Sequence, residues 1–139
     1  MTYELRDHTA DVAVEATAPT LSGLFESLAE GFTAASCESV PAVGDRFDIE
    51  LGAESREALL FDYLDQLVYE RDVRNVLPAE HECAVAETGD GTETWTVRAS
   101  ARGVPLDEVA AREIKAVTYS EMALEERDDG WYGYVVFDV

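Results

Sequence analysis

The sequence predicts an α+β fold: a single two-layer domain over residues 1–139, with a mostly antiparallel sheet of about six strands packed on two amphipathic helices. Two stretches carry apolar residues at helical spacing, and several others alternate apolar with polar residues. Late in the chain, two Gly-containing turn signals separate strand-like segments. At 139 residues there is enough chain for one core and too little for two comfortable ones.

A short strand is expected near Thr2–Leu5, followed by the polar stretch Asp7-His8-Thr9-Ala10-Asp11. Small apolar residues from Val12 to Ala18 then predict a second strand. Thr20 stands where an N-cap belongs, because its hydroxyl can accept from the free N–H groups of a first helical turn. Leu21, Leu24, Phe25, Leu28, Ala29 and Phe32 follow as one stripe. Asp45–Leu51 alternates, with Phe47, Ile49 and Leu51 on one face. Ser55 is the expected cap of a second helix, whose stripe is Leu59, Leu60, Tyr63, Leu64, Leu67 and Val68. Glu80–Glu87 and Thr92–Arg102 flank Gly89-Asp90-Gly91, while Glu113–Arg127 and Trp131–Val139 flank Asp128-Asp129-Gly130, which predicts two hairpins.

Thirty acids against ten bases give a net charge of −20. Such a chain repels itself at low ionic strength, whereas at molar salt the Debye length shrinks to roughly 3 Å. Because the acids are spread along the chain rather than gathered in a tail, the composition predicts adaptation to high salt. A melting temperature that failed to rise between dilute and molar potassium chloride would refute this. The same charge argues against strong unaided binding of nucleic acid, which needs clustered Lys and Arg. No apolar run approaches the roughly 18 residues that span a bilayer. The opening residues resemble no signal peptide, so the expectation is a cytoplasmic protein without a membrane partner. Cys37 and Cys83 read as small buried hydrophobes rather than a disulfide.

The sequence has no phosphate-binding glycine loop, no dinucleotide fingerprint and no Gly-x-Ser-x-Gly elbow. With only His8 and His81, a multi-histidine zinc site is excluded. His81, between Glu80 and Glu82, reads as a solvated strand-edge residue. Three segments carry chemical interest. Asp7-His8-Thr9-Ala10-Asp11 concentrates two carboxylates, an imidazole and a hydroxyl, as either an Asx-type turn or a ligand-bearing loop. In Glu113-Ile114-Lys115-Ala116-Val117-Thr118-Tyr119 a strand would place Lys115 on one face with Val117 and Tyr119. Lys115 is the only lysine beside nine arginines. It either snorkels or pairs with an acid, or else serves a site that wants a point charge rather than a planar fork. At the end of the sequence, the Asp138 side chain and the Val139 α-carboxylate are adjacent, as a frayed terminus or as oxygen donors for a hard divalent cation.

Together these segments resemble the archease family. Asp7-His8-Thr9-Ala10-Asp11-Val12 is similar to its opening motif, Glu113–Tyr119 to its central motif and Phe137-Asp138-Val139 to its close. Leu24-Phe25-Glu26 and Leu59–Leu64 match its helices, so the likeness runs over nearly the full length. Ser120 departs from the histidine that many members carry after the Thr-Tyr pair. The resemblance implies a non-catalytic activator of the RtcB-type tRNA ligase, promoting guanylylation of that enzyme and its multiple turnover in tRNA splicing. It also implies a chaperone role toward a tRNA cytosine methyltransferase as the alternative. The implied functional positions are Asp11, Lys115 and Asp138. With the Val139 carboxylate, Asp11 and Asp138 would hold a divalent metal ion, calcium first and manganese or magnesium as alternatives, while His8 supports the loop and Lys115 stands beside it.

Overall fold

The computed structural model describes residues 11–89 and 94–139. The expected strand at Thr2–Leu5 and residue His8 lie outside them. The chain runs β1 (Asp11–Ala18), α1 (Leu21–Ser36), β2 (Asp45–Ala53), α2 (Arg56–Arg74), β3 (Val76–Glu87), β4 (Trp95–Pro105), a short 3-10 turn (Leu106–Glu108), β5 (Ala116–Arg127) and β6 (Gly130–Asp138). The fold is α+β as expected. Its strands divide into two antiparallel three-stranded sheets, ordered β1-β6-β5 and β2-β4-β3. Each helix packs against both sheets.

Both predicted caps form. Thr20 Oγ1 accepts from the Gly23 N–H at 3.0 Å, and Ser55 Oγ from the Ala58 N–H at 3.0 Å. Helix α2 ends at Arg74; its cap Asn75 still donates its N–H to the Arg71 carbonyl and then turns the chain out of the helix in the left-handed conformation (φ 61°). Both helical stripes are buried throughout. They meet through the stacked rings of Phe25 and Tyr63, and α1 reaches β6 through an edge-on Phe32–Phe137 pair. Gly31 lets α1 cross β1 closely, since a Cβ there would stand 2.3 Å from Val14 Cγ1.

Strand β3 begins at Val76, earlier than the expected Glu80, with Pro78 inside it. Its outward N–H groups are covered by α1 rather than by another strand. Ser22, Glu26 and Glu30, one helical turn apart, accept from Val85, Cys83 and His81 at 2.9, 2.9 and 2.8 Å.

His81 is not a solvated edge residue. Only 5% exposed, it shares the covered face of β3 with Cys83 and Val85 beneath α1. Its Nε2 lies 2.8 Å from Thr33 Oγ1, whose own proton goes to the Pro78 carbonyl at 2.7 Å. Nε2 is therefore the donor, which leaves Nδ1 as a buried acceptor with no partner among the described residues. Burial, and secondarily the nearby Arg46 charge, press the imidazole pKa down to about 4. The cysteines are half-buried free thiols rather than fully buried ones. Cys83 Sγ donates to Tyr63 Oη, and burial pushes that thiol up to about 12.

Strand β5 starts at Ala116 rather than Glu113, so residues 109–115 are neither helix nor strand. Lys115 is exposed while Val117 is buried, and the two do not share a strand face as expected. Two main-chain bonds tie this segment to distant elements: the Arg112 N–H donates to the Ser36 carbonyl at 2.7 Å, and the Lys115 N–H to the Asp138 carbonyl at 2.8 Å. A register shift between Thr118 and Ala123 then turns Tyr119 outward, 55% exposed and edge-on to the Phe61 ring. No helix among the described residues is long and apolar enough to cross a membrane.

Candidate functional site

Strand pairing gathers the marked residues at one end of the β1-β6-β5 sheet. The central strand β6 ends on Asp138, which pairs with Asp11 on one side and Ala116 on the other. Lys115 adjoins through the bond from its N–H to the Asp138 carbonyl. Asp11, Lys115 and Asp138 are thus neighbours, although more than a hundred residues separate the first from the other two in sequence.

Two carboxyl groups face each other here. The Asp11 carboxyl is held above the usual carboxylate range, first by crowding from the surrounding chain, then by a hydrogen bond with Asp138 and by the charges of Asp138 and Glu121. Glu121 was not anticipated from the sequence. The outward turn of β5 between Thr118 and Ala123 carries it, and alternation alone does not mark that turn. Val139 is half-buried, its side chain packed against the core. Among the described residues no group of three or more His, Cys, Asp or Glu side chains is gathered as a metal cluster. The described acidic side chains here are Asp11, Asp138 and Glu121, and His8 lies outside the described region. A hard divalent cation would relieve the repulsion that Asp138 exerts on the Asp11 carboxylate.

Basic side chains elsewhere are engaged. Arg98 pairs with Glu50 at 3.0 Å, Arg102 with Glu80 at 2.8 Å and Arg127 with Glu125 at 3.1 Å. Arg56 lies over the Trp131 ring and Arg74 over Phe47, contacts suited to a planar guanidinium. Lys115 makes no ion pair among the described residues, so the reading of this lysine as a simple partner of a nearby acid finds no support in them.

The Archease protein family (MTH1598/TM1083) model matches residues 3–139. The chain belongs to the archease family. The archease of Methanosarcina barkeri is 30% identical over 139 residues, covering 99% of this chain and 95% of that protein. The archease of Methanopyrus kandleri is 30% identical over 144 residues, covering both chains completely. Among solved structures, protein 1598 of Methanobacterium thermoautotrophicum superposes with a TM-score of 0.79 at 27% identity, covering 96% of each chain. A Thermotoga maritima archease described as a possible chaperone gives a TM-score of 0.71 at 21% identity, over 100% of this chain and 98% of that one, and supports the fold. The archease motifs noted in the sequence thus converge in space where the described residues include them.

Proposed function

We propose that this archease activates an RtcB-type RNA-splicing ligase, promoting its guanylylation and repeated turnover without being a catalyst itself. The reading rests on one observation: the pairing that sets Asp11 against Asp138, with Lys115 tied to the same residue. Asp11, Asp138 and the Val139 carboxylate would hold a divalent ion, calcium first and manganese or magnesium as alternatives, with His8 supporting the loop. Such an ion, when bound, neutralises charge on a phosphoryl group. The residues of this chain would hold and orient: the carboxylates supply hard oxygen donors, strand pairing brings Asp11 and Asp138 side by side, and Lys115 offers a point charge to a phosphate or a ligase carboxylate.

The test is ligation of intron-containing tRNA halves with limiting ligase at high salt, with and without this protein. Stimulated turnover that disappears in Asp11→Ala and Lys115→Ala supports the reading, while full stimulation by either folded variant refutes the site. A second reading, a chaperone for a tRNA cytosine methyltransferase in the cytoplasm, draws on the description of the Thermotoga relative as a possible chaperone. Methylation that depends on this protein, alongside ligation that does not, would favour it.

A further inference from the structure

The distribution of cations in so acidic a chain carries a further consequence. Among the described residues only two basic side chains, Arg112 and Lys115, make neither an ion pair nor a stacking contact. They stand three residues apart on one segment, at the carboxylate end of the β1-β6-β5 sheet. Both stay unpaired although the chain carries thirty acids and the exposed Glu113 stands between them. That segment is well held. Its main chain is fixed by the Arg112 bond to Ser36 and the Lys115 bond to Asp138, and between them Ile114 is buried in the core at 1% exposure. Both cationic residues are exposed.

We propose that Arg112 and Lys115 form an anion site that takes phosphate oxygens of a nucleoside triphosphate bound as its divalent-metal complex. Arg112 presents a planar fork able to bind two oxygens of one phosphate, and Lys115 a compact charge for a neighbouring one. The adjoining Asp11–Asp138 pair selects the form of the ligand. A bare polyanion is held more weakly beside those carboxylates than its metal complex. A metal–triphosphate complex instead offers positive charge toward the carboxylates and negative charge toward the two cations. Identifying the anion as a nucleotide rests on the ligase-activating reading; the existence of the anion site does not.

The purely structural alternative is that Arg112 complements the C-terminal end of α1, whose last turn has no basic residue. The sole lysine makes a probe that separates the two. Reductive methylation with ¹³C-formaldehyde labels Lys115 and keeps its charge, and the N-terminal amine, labelled as well, is told apart as the signal unchanged in a Lys115→Arg control. The label is then followed by NMR during titration with inorganic triphosphate, with and without calcium, and finally with GTP. The expected result is a saturable shift of the Lys115 signal. Arg112→Ala should weaken binding roughly tenfold, the loss of one charge-assisted partner, with Arg112→Lys in between. If the metal reading alone fails, calcium leaves the titration unchanged but its dependence on Arg112 remains. The anion site is overturned if the Lys115 signal never moves with triphosphate. It is equally overturned if Arg112→Ala lowers the melting temperature while leaving triphosphate affinity intact.

Discussion

On the outer face of the β2-β4-β3 sheet, charges stand opposite their complements. Arg98 faces Glu50 across two strands, and Arg102 reaches Glu80 and the Pro41 and Val43 carbonyls. Arg46 bridges Ser100 to the Glu80 carbonyl. At the Asp11 end of the β1-β6-β5 sheet the order is reversed. Carboxyl faces carboxyl, Glu121 adds to their charge, and Lys115 beside them makes no ion pair among the described residues. The first region is arranged for the folded chain by itself. The second gathers like charges, an arrangement that recurs at functional sites and on which the proposed function draws.

The largest expected effect breaks this comparison directly. Asp11→Ala and Lys115→Ala should reduce stimulated ligation to the level of ligase alone, with secondary structure and melting temperature nearly unchanged. Arg98→Ala, which disrupts an exposed pair, should leave stimulation intact and shift stability by less than about 1 kcal/mol. Circular dichroism melts run beside the ligation assay check both halves. Equal loss of stimulation in all three variants would mean that the two regions do not differ in role.

Local chemistry made much of the fold legible and little of the site. Thr20 and Ser55 are readable as caps because the hydroxyl that satisfies a free N–H belongs to the adjacent residue, and the apolar stripes are readable because burial follows helical period. The early part of β3 was obscured by Pro78, which a strand tolerates here at the sheet edge that α1 covers. The position of Lys115 differs from the expectation because its segment is held by the Arg112 bond to Ser36 and the Lys115 bond to Asp138, residues outside that segment. His81 was misread from its charged neighbours, although its alternation with Cys83 and Val85 carried the correct signal. The meeting of Asp11 with Asp138 depends on strand register, which no residue near either one encodes. Only the joint occurrence of the archease motifs pointed to it.

A smaller effect sharpens the comparison from the stable side. His81 is pressed from 6.5 to about 4 in the folded chain, so the neutral ring contributes stability that is fully present above pH 6.5 and is lost as pH falls toward 4. The full loss is about 3 kcal/mol for a shift of this size. Acidification also titrates carboxylates throughout the molecule, so the useful quantity is the difference between wild type and His81→Gln. Urea midpoints at pH 7.5 and 5 should converge as pH falls. Midpoints that keep a constant separation would show that His81 is not held neutral. Thr33→Val, which strands the Nε2 proton and the Pro78 carbonyl, should lower stability by about 1–3 kcal/mol at pH 7.5.

The smallest effect comes from the carboxylate end itself, and its sign is the informative part. The raised proton affinity of Asp11 means that its contribution to stability is fully present below the ordinary carboxylate range and is lost as pH rises through the folded value. At neutral pH the ionised Asp11 opposes folding, so Asp11→Asn should raise the melting temperature slightly in metal-free buffer. Calcium should reverse the ranking: it stabilises the wild type by binding only the folded state, and it gives little to Asp11→Asn. Paired melts with chelator and with calcium read this directly. A variant that melts lower than wild type in chelator would mean that Asp11 is held by a favourable interaction, and the cluster would then belong with the paired face of the other sheet rather than in contrast to it.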